Sequence, residues 1–296
     1  MSPRSLPLVS PHRSRHHTAV FDRYRVIVVT PAGRERYLRL LAAHVLTQPE
    51  VDEWHLWLNT TDASDLAFLR ELAAMHVKVR LVEPPLQPPN GTATIGQFFR
   101  TTIARDAIYV RLDDDVVWLE PEFFARLLAA RIADRQPLFL YPLIINNAVC
   151  SWLLKMHGVL DAPQRLQPHC LDRIGWQSPE FAEALHRWFL ARIQRGDLEP
   201  LRLPSTTAAL ARVSINCISW FGEDLLAVGG EFPRDHDEEE FASVTLPMLL
   251  KLTNRIDGAA ICAHFAFFPQ REHLDRTDIL DQYRSLAPRL ELPAAR

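Results

Sequence analysis

The sequence predicts an α/β protein with a mainly parallel central sheet, helices on both of its faces, and a single large domain. Four short apolar runs within residues 25–112 are separated by three segments of helical periodicity. Such alternation is typical of parallel sheets covered by helices. A chain of 296 residues can bury one sizeable core, and 48% hydrophobic with 23% charged residues is an ordinary folded composition.

The first half of the chain alternates regularly. Strands are predicted over 25–30, 54–58, 77–82 and 108–112, and helices over 34–46, 66–75 and 94–104. The first run is continuously apolar, as expected of a strand covered on both faces. Ligands bind outside the carboxyl ends of such strands. We therefore expect Thr30, Asn59 and the aspartates after Leu112 to lie at one edge of the sheet.

The second half is less regular. We predict a helix over 121–135 with Pro121 in its first turn, strands over 138–141, 213–220 and 259–263, and an amphipathic helix over 277–286. Within the loosely patterned segment 146–212, a helix is expected from its cap Ser178 to the stop Gly196. Gly230 is expected to let the backbone approach a ligand closely. Residues 1–20, rich in Pro, Ser, Arg and His, are interpreted as a disordered arm.

Three carboxylates, Asp113 to Asp115, follow the strand over 108–112 directly. In extended backbone Asp113 and Asp115 leave on the same face. Two such charges repel by roughly 4 kcal/mol at about 4 Å and an effective dielectric of about 20. A hard cation, Mg²⁺ or Mn²⁺, would relieve that repulsion. The alternative is a turn in which the aspartates cap the next helix.

A second acidic cluster spans residues 235–240, after Gly229 and Gly230. By charge alone it is interpreted as the solvated first turn of a helix, which the helix dipole favours. A functional role depends on the context given below.

Bulk properties exclude several classes of function. A net charge of −3 gives no reason to expect a nucleic-acid partner. No apolar run reaches the roughly 20 residues of a membrane span, which leaves peripheral contact of the N-terminal arm with acidic lipids as the possible membrane interaction. The four cysteines (Cys150, Cys170, Cys217 and Cys262) have no C-x-x-C spacing, so reduced thiols and a cytoplasmic location are expected.

Four places along the chain together resemble a glycosyltransferase of the GT-A fold that uses nucleotide-diphospho-sugars. They are the early strand with residues 30–34, the aspartates 113–115, the Gly-Gly-Glu-Phe turn at 229–232 with acidic residues 237–240, and His264. The resemblance covers about residues 21–286. It implies a Rossmann-like donor-binding half over 21–145, an acceptor-binding and catalytic half over 146–270, and a C-terminal helix and tail over 271–296.

The resemblance also implies roles for individual residues. The metal, Mn²⁺ or Mg²⁺, would be held by Asp113, Asp115 and His264, with Asp113 also near the ribose. The catalytic base falls on Glu238, with Asp237 as the next match, because the acidic run departs from the usual family pattern. The nucleotide pocket is implied for the remaining matched positions: Thr30, Arg34, Asn59 and Arg100. The partners would be a nucleotide-diphospho-sugar, UDP-linked by default, and a saccharide or glycolipid acceptor.

Three alternatives stay open. A sugar nucleotidyltransferase shares a similar sheet, but it needs a glycine-rich loop with arginine and lysine after the first strand, and residues 30–34 are too short and lack the lysine. A non-catalytic nucleotide-sugar-binding module is opposed by the intact set of Asp113, Asp115 and His264. The third alternative is that both acidic clusters are surface charge on an unrelated fold.

Overall fold

The computed structural model describes residues 23–86, 88–208, 211–234 and 236–292. The predicted disordered arm lies outside these ranges, as does Asp235. The longer helices are α1 (Glu35–Leu46), α2 (Ala63–Met75), α3 (Phe123–Ala133), α4 (Ala148–Met156), α5 (Pro179–Arg195), α6 (Phe268–Leu274) and α7 (Ile279–Leu286). Short helical turns cover Thr92–Ile95, Gly96–Thr101, Glu199–Leu201, Gly222–Leu226, Glu238–Glu240, Phe241–Thr245 and Leu246–Leu250.

Within the described ranges nine strands form one sheet. They are β1 (Arg25–Ala32), β2 (Glu53–Leu58), β3 (Val79–Val82), β4 (Ala107–Leu112), β5 (Val116–Leu119), β6 (Pro137–Ile145), β7 (Thr206–Ala208), β8 (Cys217–Phe221) and β9 (Thr253–His264). Their order is β3-β2-β1-β4-β8-β6-β9-β5, with β7 paired to β9. The first four strands in this order are parallel, as are β6 and β9, whereas β8, β5 and β7 pair antiparallel. The predicted α/β class with a mainly parallel sheet is confirmed.

The central strands are buried on both faces. Every residue of β1 after Arg25 is buried, and so is every residue of β4. Continuous burial explains why β1 reads as an unbroken apolar run rather than an alternating one. One connected core packs around these strands, so the chain forms a single domain.

Several element boundaries differ from the prediction. β6 runs to residue 145 and β9 begins at residue 253, and neither β5 nor α4 was predicted. α3 begins at Phe123 because Glu122 takes a left-handed conformation at its start (φ 64°), so Pro121 lies before the helix rather than in its first turn. The helix expected over 94–104 divides into two short turns that end at Thr101.

The conformation at Gly230 corrects the role predicted for it. Its φ is +66°, and a Cβ atom there would lie 2.5 Å from the carbonyl oxygen of Phe99. The close approach is therefore made to the chain's own backbone and not to a ligand. Two residues further on, Phe232 stacks on Phe99 with ring centroids 4.0 Å apart.

The C-terminal part of the chain follows the prediction closely. α5 begins after the cap Ser178 and ends at Gly196, whose φ is +65°. α7 packs back onto α5, where Tyr283 and the Nδ1 atom of His186 are 2.9 Å apart. All four cysteines are free and buried. No helix in the described ranges combines the length and apolar character that a membrane crossing requires.

Candidate active site

The aspartate triplet lies at the junction of β4 and β5. β4 ends at Leu112, Asp114 and Asp115 form a turn, and β5 begins at Val116. The backbone N–H of Asp113 donates to the carbonyl oxygen of Asn216 at 2.9 Å. Because the triplet turns, the extended geometry predicted to place Asp113 and Asp115 on one face is wrong: Asp113 pairs with Arg111, whereas Asp114 and Asp115 share Arg34.

Asp114 binds the loop that follows β1. Its Oδ2 atom accepts hydrogen bonds from the backbone N–H groups of Gly33 and Arg34 at 3.1 and 2.8 Å, and the Arg34 guanidinium pairs with both of its carboxylate oxygens. Arg34 Nη1 also lies 2.7 Å from Asp115 Oδ2. Arg34, predicted to line the nucleotide pocket, is thus engaged by the aspartates, although a third of its side chain stays exposed.

His264 faces Asp115 at the end of β9. Its Nε2 atom lies 3.4 Å from Asp115 Oδ1, and its Nδ1 atom lies 3.1 Å from the carbonyl oxygen of Asn146. A carbonyl oxygen only accepts, so Nδ1 carries the proton and the ring orientation is fixed. Asn146 is buried and has a φ of +59°, which aims its carbonyl group at the imidazole.

Charge and burial act in opposite directions on His264. Burial works against the charged imidazolium, whereas the neighbouring Asp115 carboxylate raises the pKa of His264 above its ordinary value. Asp115 Oδ1 is itself buried and has no well-formed hydrogen bond within the described part of the chain. A neutral imidazole would place two acceptor atoms against each other here, so the pair requires either a proton or a cation between them.

The pair of Asp115 Oδ1 and His264 Nε2 fits one edge of a metal site. A hard divalent cation holds its ligands at about 2.0–2.2 Å, so two adjacent ligands lie roughly 3 Å apart, close to the separation observed. The hydrogen bond from Nδ1 to a carbonyl oxygen is the usual support of a metal-binding histidine. Among the described residues no group of three or more His, Cys, Asp or Glu side chains is placed to hold a metal by itself. Mg²⁺ and Mn²⁺ sites often take their remaining ligands from water and substrate phosphates.

Asp113 faces away from this pair, toward a buried arginine. Its Oδ1 atom accepts from Arg111 Nε at 3.2 Å and Nη2 at 2.9 Å, and its Oδ2 atom accepts from Asn216 Nδ2 at 3.2 Å. The third nitrogen of the guanidinium, Arg111 Nη1, pairs with Glu238 Oε1. Asp113 and the predicted base Glu238 therefore share the positive charge of one guanidinium group, that of Arg111.

The acidic run around Glu238 forms the first turn of a helix, as its charge suggests, but its carboxylates are paired and only partly solvated. Arg212 pairs with Asp237 through Nη2 and with Glu239 through Nε, both at 2.9 Å. Asp237 also caps the turn by accepting from the backbone N–H of Glu240 at 3.0 Å. Asp237 is thus committed to a structural contact and is half exposed, whereas the side chain of Glu238 is only 11% exposed.

The environment of Glu238 changes its acidity. Burial disfavours its charged form, and this outweighs the nearby Arg111 guanidinium, which acts in the opposite direction. The pKa of Glu238 is raised to about 7. A carboxyl group with this pKa can exchange a proton with substrate near neutral pH.

A cavity of about 160 Å³ opens beside Glu238. Of the predicted site residues, Arg100 and Glu238 line it, and Arg100 pairs with Glu231 at 2.7 Å. The other lining residues are Leu86, Thr92, Ala93, Thr94, Gly96, Gln97, Phe232, Pro233, Arg234, His236 and Phe241. The aspartate triplet and His264 are not among them.

Two predicted nucleotide-binding residues are engaged within the fold. Thr30 lies two residues before the end of β1 rather than at its carboxyl end, is fully buried, and accepts a hydrogen bond from Trp54 Nε1 at 3.0 Å. Asn59 bonds to the Gly91 carbonyl and to Thr94 Oγ1, both at 3.0 Å. Thr30 therefore lies beneath the surface of the site, whereas Asn59 supports a residue that lines the cavity.

Sequence reasoning missed Arg111, Asp114, Asn146 and Asn216. Arg111 had a signal, because an arginine inside an apolar strand and two residues before a carboxylate is well placed to pair with it. Asn146 and Asn216 had none, because they reach the site through backbone geometry that pairs distant segments. Asp114 was passed over because the extended geometry assumed for the triplet pointed it away.

No family model and no curated protein matches the sequence. Among solved structures the chain is similar to the mannosyltransferase PcManGT from Pyrobaculum calidifontis in complex with GDP-Man and Mn²⁺, at 15% identity over 89% of this chain and a TM-score of 0.49. The similarity spans 64% of that mannosyltransferase.

Two further solved structures cover comparable shares of the chain. One is GalNAc-T7 with UDP, GalNAc and Mn²⁺, at 11% identity over 83% of this chain and 44% of that chain, with a TM-score of 0.47. The other is a 4-diphosphocytidyl-2C-methyl-D-erythritol synthase from Anaerococcus prevotii, at 10% identity over 90% of this chain and 98% of that chain, with a TM-score of 0.45. All three TM-scores are below 0.5.

Proposed function

We propose that the chain is a glycosyltransferase that moves a sugar from a nucleotide-diphospho-sugar to a hydroxyl acceptor with inversion at the anomeric carbon. The observation that carries this proposal is Glu238, a nearly buried carboxyl group with a pKa of about 7 that lines a cavity and shares Arg111 with Asp113. The cavity is of a size to take about one sugar ring. Together these features supply a base, a pocket, and a link to the end of the sheet where ligands bind.

Glu238 would act as the general base. As the acceptor oxygen attacks the anomeric carbon, its proton passes to a Glu238 carboxylate oxygen, and the bond from that carbon to the diphosphate oxygen breaks. The nucleoside diphosphate leaves with the electron pair. Arg100, which lines the same cavity, would place positive charge near the diphosphate.

Asp115 and His264 would hold a divalent cation, with Asp113 turned toward Arg111 and within reach of the ribose. When bound, such a cation neutralises the charge that develops on the departing diphosphate. Four points stay predictions from the sequence: Asp113 as a direct metal ligand, UDP as the nucleotide of the donor, a saccharide or glycolipid acceptor, and a cytoplasmic location.

Calorimetric titration with UDP, GDP and CDP, each with and without Mn²⁺, tests the binding part of this proposal. We expect one nucleotide to bind only with metal, and we expect Asp115→Asn to abolish that binding because it removes the charge that faces His264. Normal metal-dependent binding by Asp115→Asn would contradict the site. Binding of CTP or UTP, with joining of its nucleoside monophosphate unit to a sugar phosphate and release of pyrophosphate from the triphosphate, would favour the nucleotidyltransferase alternative.

Glu238→Gln tests the chemical part. The amide keeps the shape of the side chain but cannot take a proton, so nucleotide affinity should be retained while transfer falls by about 10² to 10⁴. Asp237→Asn is the matched control on the neighbouring carboxyl group, and it should retain most of the activity because Asp237 contacts Arg212 and caps the helical turn. The reverse ranking of the two variants would assign the base to Asp237.

A further inference from the structure

Arg111 is a buried cation at the centre of the sheet. Its side chain is 3% exposed, and its backbone lies in β4 between Val29 of β1 and Ile218 of β8. Pairing with both neighbouring strands therefore fixes the position of the Arg111 backbone, from which the side chain extends. From this position it reaches Asp113, two residues along the chain, and Glu238, more than a hundred residues away.

Glu238 lies on a much less constrained part of the chain. The preceding residues Glu231, Pro233, Arg234, His236 and Asp237 are exposed, and Glu238 is the first residue of a helical segment made of Glu238–Glu240, Phe241–Thr245 and Leu246–Leu250. The ion pairs of Asp237, Glu238 and Glu239 are made with arginines outside this run, Arg111 for Glu238 and Arg212 for both Asp237 and Glu239. Because Glu238 directly follows an exposed segment, a contact with a rigid element is needed to fix the orientation of its side chain.

We propose that Arg111 is a positioning residue that ties the base Glu238 to Asp113, so that the proton-accepting group and the donor-binding edge of the sheet hold one fixed arrangement. This inference rests on the proposed function. The planar guanidinium serves the two carboxylates through different nitrogens, with Nε and Nη2 on Asp113 and Nη1 on Glu238. A lysine ammonium is a point charge on a flexible stem and cannot reproduce this fork.

Stability alone is a poor explanation for this arrangement. Removing an arginine and two carboxylates from water costs several kcal/mol per ion, and apolar side chains of similar volume often stabilise a fold as well or better. Arg131, an equally buried arginine, bonds to a backbone carbonyl and lies over the Phe221 ring. Asp224 and Asp134 act on Arg131 electrostatically, but no direct ion pair of Arg131 is found within the described residues. A buried arginine in this fold therefore does not by itself imply a direct contact with a carboxylate, as Arg111 makes with Asp113 and Glu238.

Arg111→Lys and Arg111→Met test the proposal, with Arg131→Met as the matched control. Displacing a catalytic group by about 1 Å costs about 10²-fold in rate, so we expect Arg111→Lys to lower kcat by that order while the KM for the donor changes little. The guanidinium also favours the charged form of Glu238, so the pH midpoint of kcat/KM should move upward in Arg111→Met and move less in Arg111→Lys, which keeps a positive charge. Arg131→Met should lower the melting temperature without moving that midpoint. Equal kcat values and equal midpoints in the Arg111 and Arg131 variants would overturn the proposal.

A thermal double-mutant cycle between Arg111→Met and Glu238→Gln gives a readout that does not need turnover. We expect the loss of melting temperature from Arg111→Met to be smaller when Glu238 is already glutamine, because one buried carboxylate no longer needs a partner. If the two losses of melting temperature are additive in the double variant, Arg111 and Glu238 do not interact and the proposal is wrong. Coupled losses in a protein that transfers no sugar from any donor would overturn the proposed function and with it the positioning role, leaving a structural ion pair. If Arg111→Met does not fold, the cycle is run with Arg111→Lys.

Discussion

At the scale of single residues, the most informative side chain is Glu238, because its environment makes a specific statement about acidity. Burial raises its pKa from 4.5 to about 7 even with Arg111 beside it. An accessible glutamate would be ionised throughout the neutral range and would be a weak base. A pKa near the working pH makes proton transfer efficient in both directions.

The first consequence is a pH profile. Because Glu238 must be ionised to accept a proton, kcat/KM should be low at pH 5.5, rise through a midpoint near the pKa of about 7, and level off above it. Initial rates over this range measure the midpoint. A flat profile from pH 5.5 to 8.5 would contradict Glu238 as the base.

Glu238 should also make the free energy of unfolding depend on pH, in the direction opposite to that of an ordinary salt-bridged carboxylate. The pKa of Glu238 is higher in the folded chain than in the unfolded chain, so the protonated form is favoured by folding. This contribution is fully present below pH 4.5 and is lost as the pH rises through about 7. Thermal denaturation of wild type and Glu238→Gln should therefore converge at low pH and separate above neutrality, with the glutamine variant the more stable. Parallel melting curves at all pH values would show that Glu238 is not perturbed.

Residue identities in the site were predictable only where a short pattern carried the chemistry. Asp115 was singled out because a strand ends in carboxylates, and His264 because of the resemblance to GT-A glycosyltransferases; the two side chains lie 3.4 Å apart. Arg111 was given no role in the site, although β4 is covered on both faces and an arginine within it is therefore buried. Asn146 was not predictable, since its role depends on a left-handed backbone conformation that local sequence did not signal.

At the scale of elements, predictions held where capping chemistry marked both ends. α5 has such marks, with Ser178 Oγ accepting from the backbone N–H of Phe181 at 3.1 Å and Gly196 in the left-handed region. α4 was missed because it is apolar on most sides and lies in a segment of loose pattern. Its cap, Asn147, which accepts from the N–H groups of Val149 and Cys150, was the available signal.

The caps of α5 make a direct stability prediction. Ser178→Ala should lower the free energy of unfolding by about 1 kcal/mol, because it removes the side-chain acceptor for Phe181 N–H. Gly196→Ala should cost about the same for a different reason, namely the left-handed φ, since a Cβ there meets no other atom within 4 Å. Urea denaturation measures both. Ser178→Asp is the control that keeps a capping oxygen, and a loss equal to that of Ser178→Ala would argue against capping.

At the scale of the whole molecule, strand order joins what the sequence appeared to divide. β5 belongs to the predicted donor half but pairs with β9, and β8 from the other half lies between β4 and β6. Local pattern identified most of these strands, yet it could not give their order, because antiparallel insertion depends on contacts between distant segments. The division between a donor-binding half that ends at residue 145 and an acceptor-binding half that begins at residue 146 stays a prediction, and both halves contribute strands to one sheet.

Interleaving predicts how a fragment should behave. A fragment of residues 23–145 has β1 to β4 in contact, but it leaves β5 and β6 without β8 and β9 as partners. We expect it to lack a cooperative thermal transition, whereas residues 23–292 should unfold in one step followed alike by circular dichroism and tryptophan fluorescence. A cooperative, soluble 23–145 fragment would show that the first half folds independently.

The buried ion pairs of the site also bear on its tolerance of salt. Dissolved ions screen exposed charges over about 8 Å at physiological ionic strength, but they scarcely reach groups without solvent contact. Arg111, Asp114 and Asp115 are each at most 5% exposed at the side chain. A high salt concentration that weakens binding of a charged donor should therefore leave the arrangement of these groups intact. The protein should lose affinity at high ionic strength, keep its structure, and regain affinity on dilution.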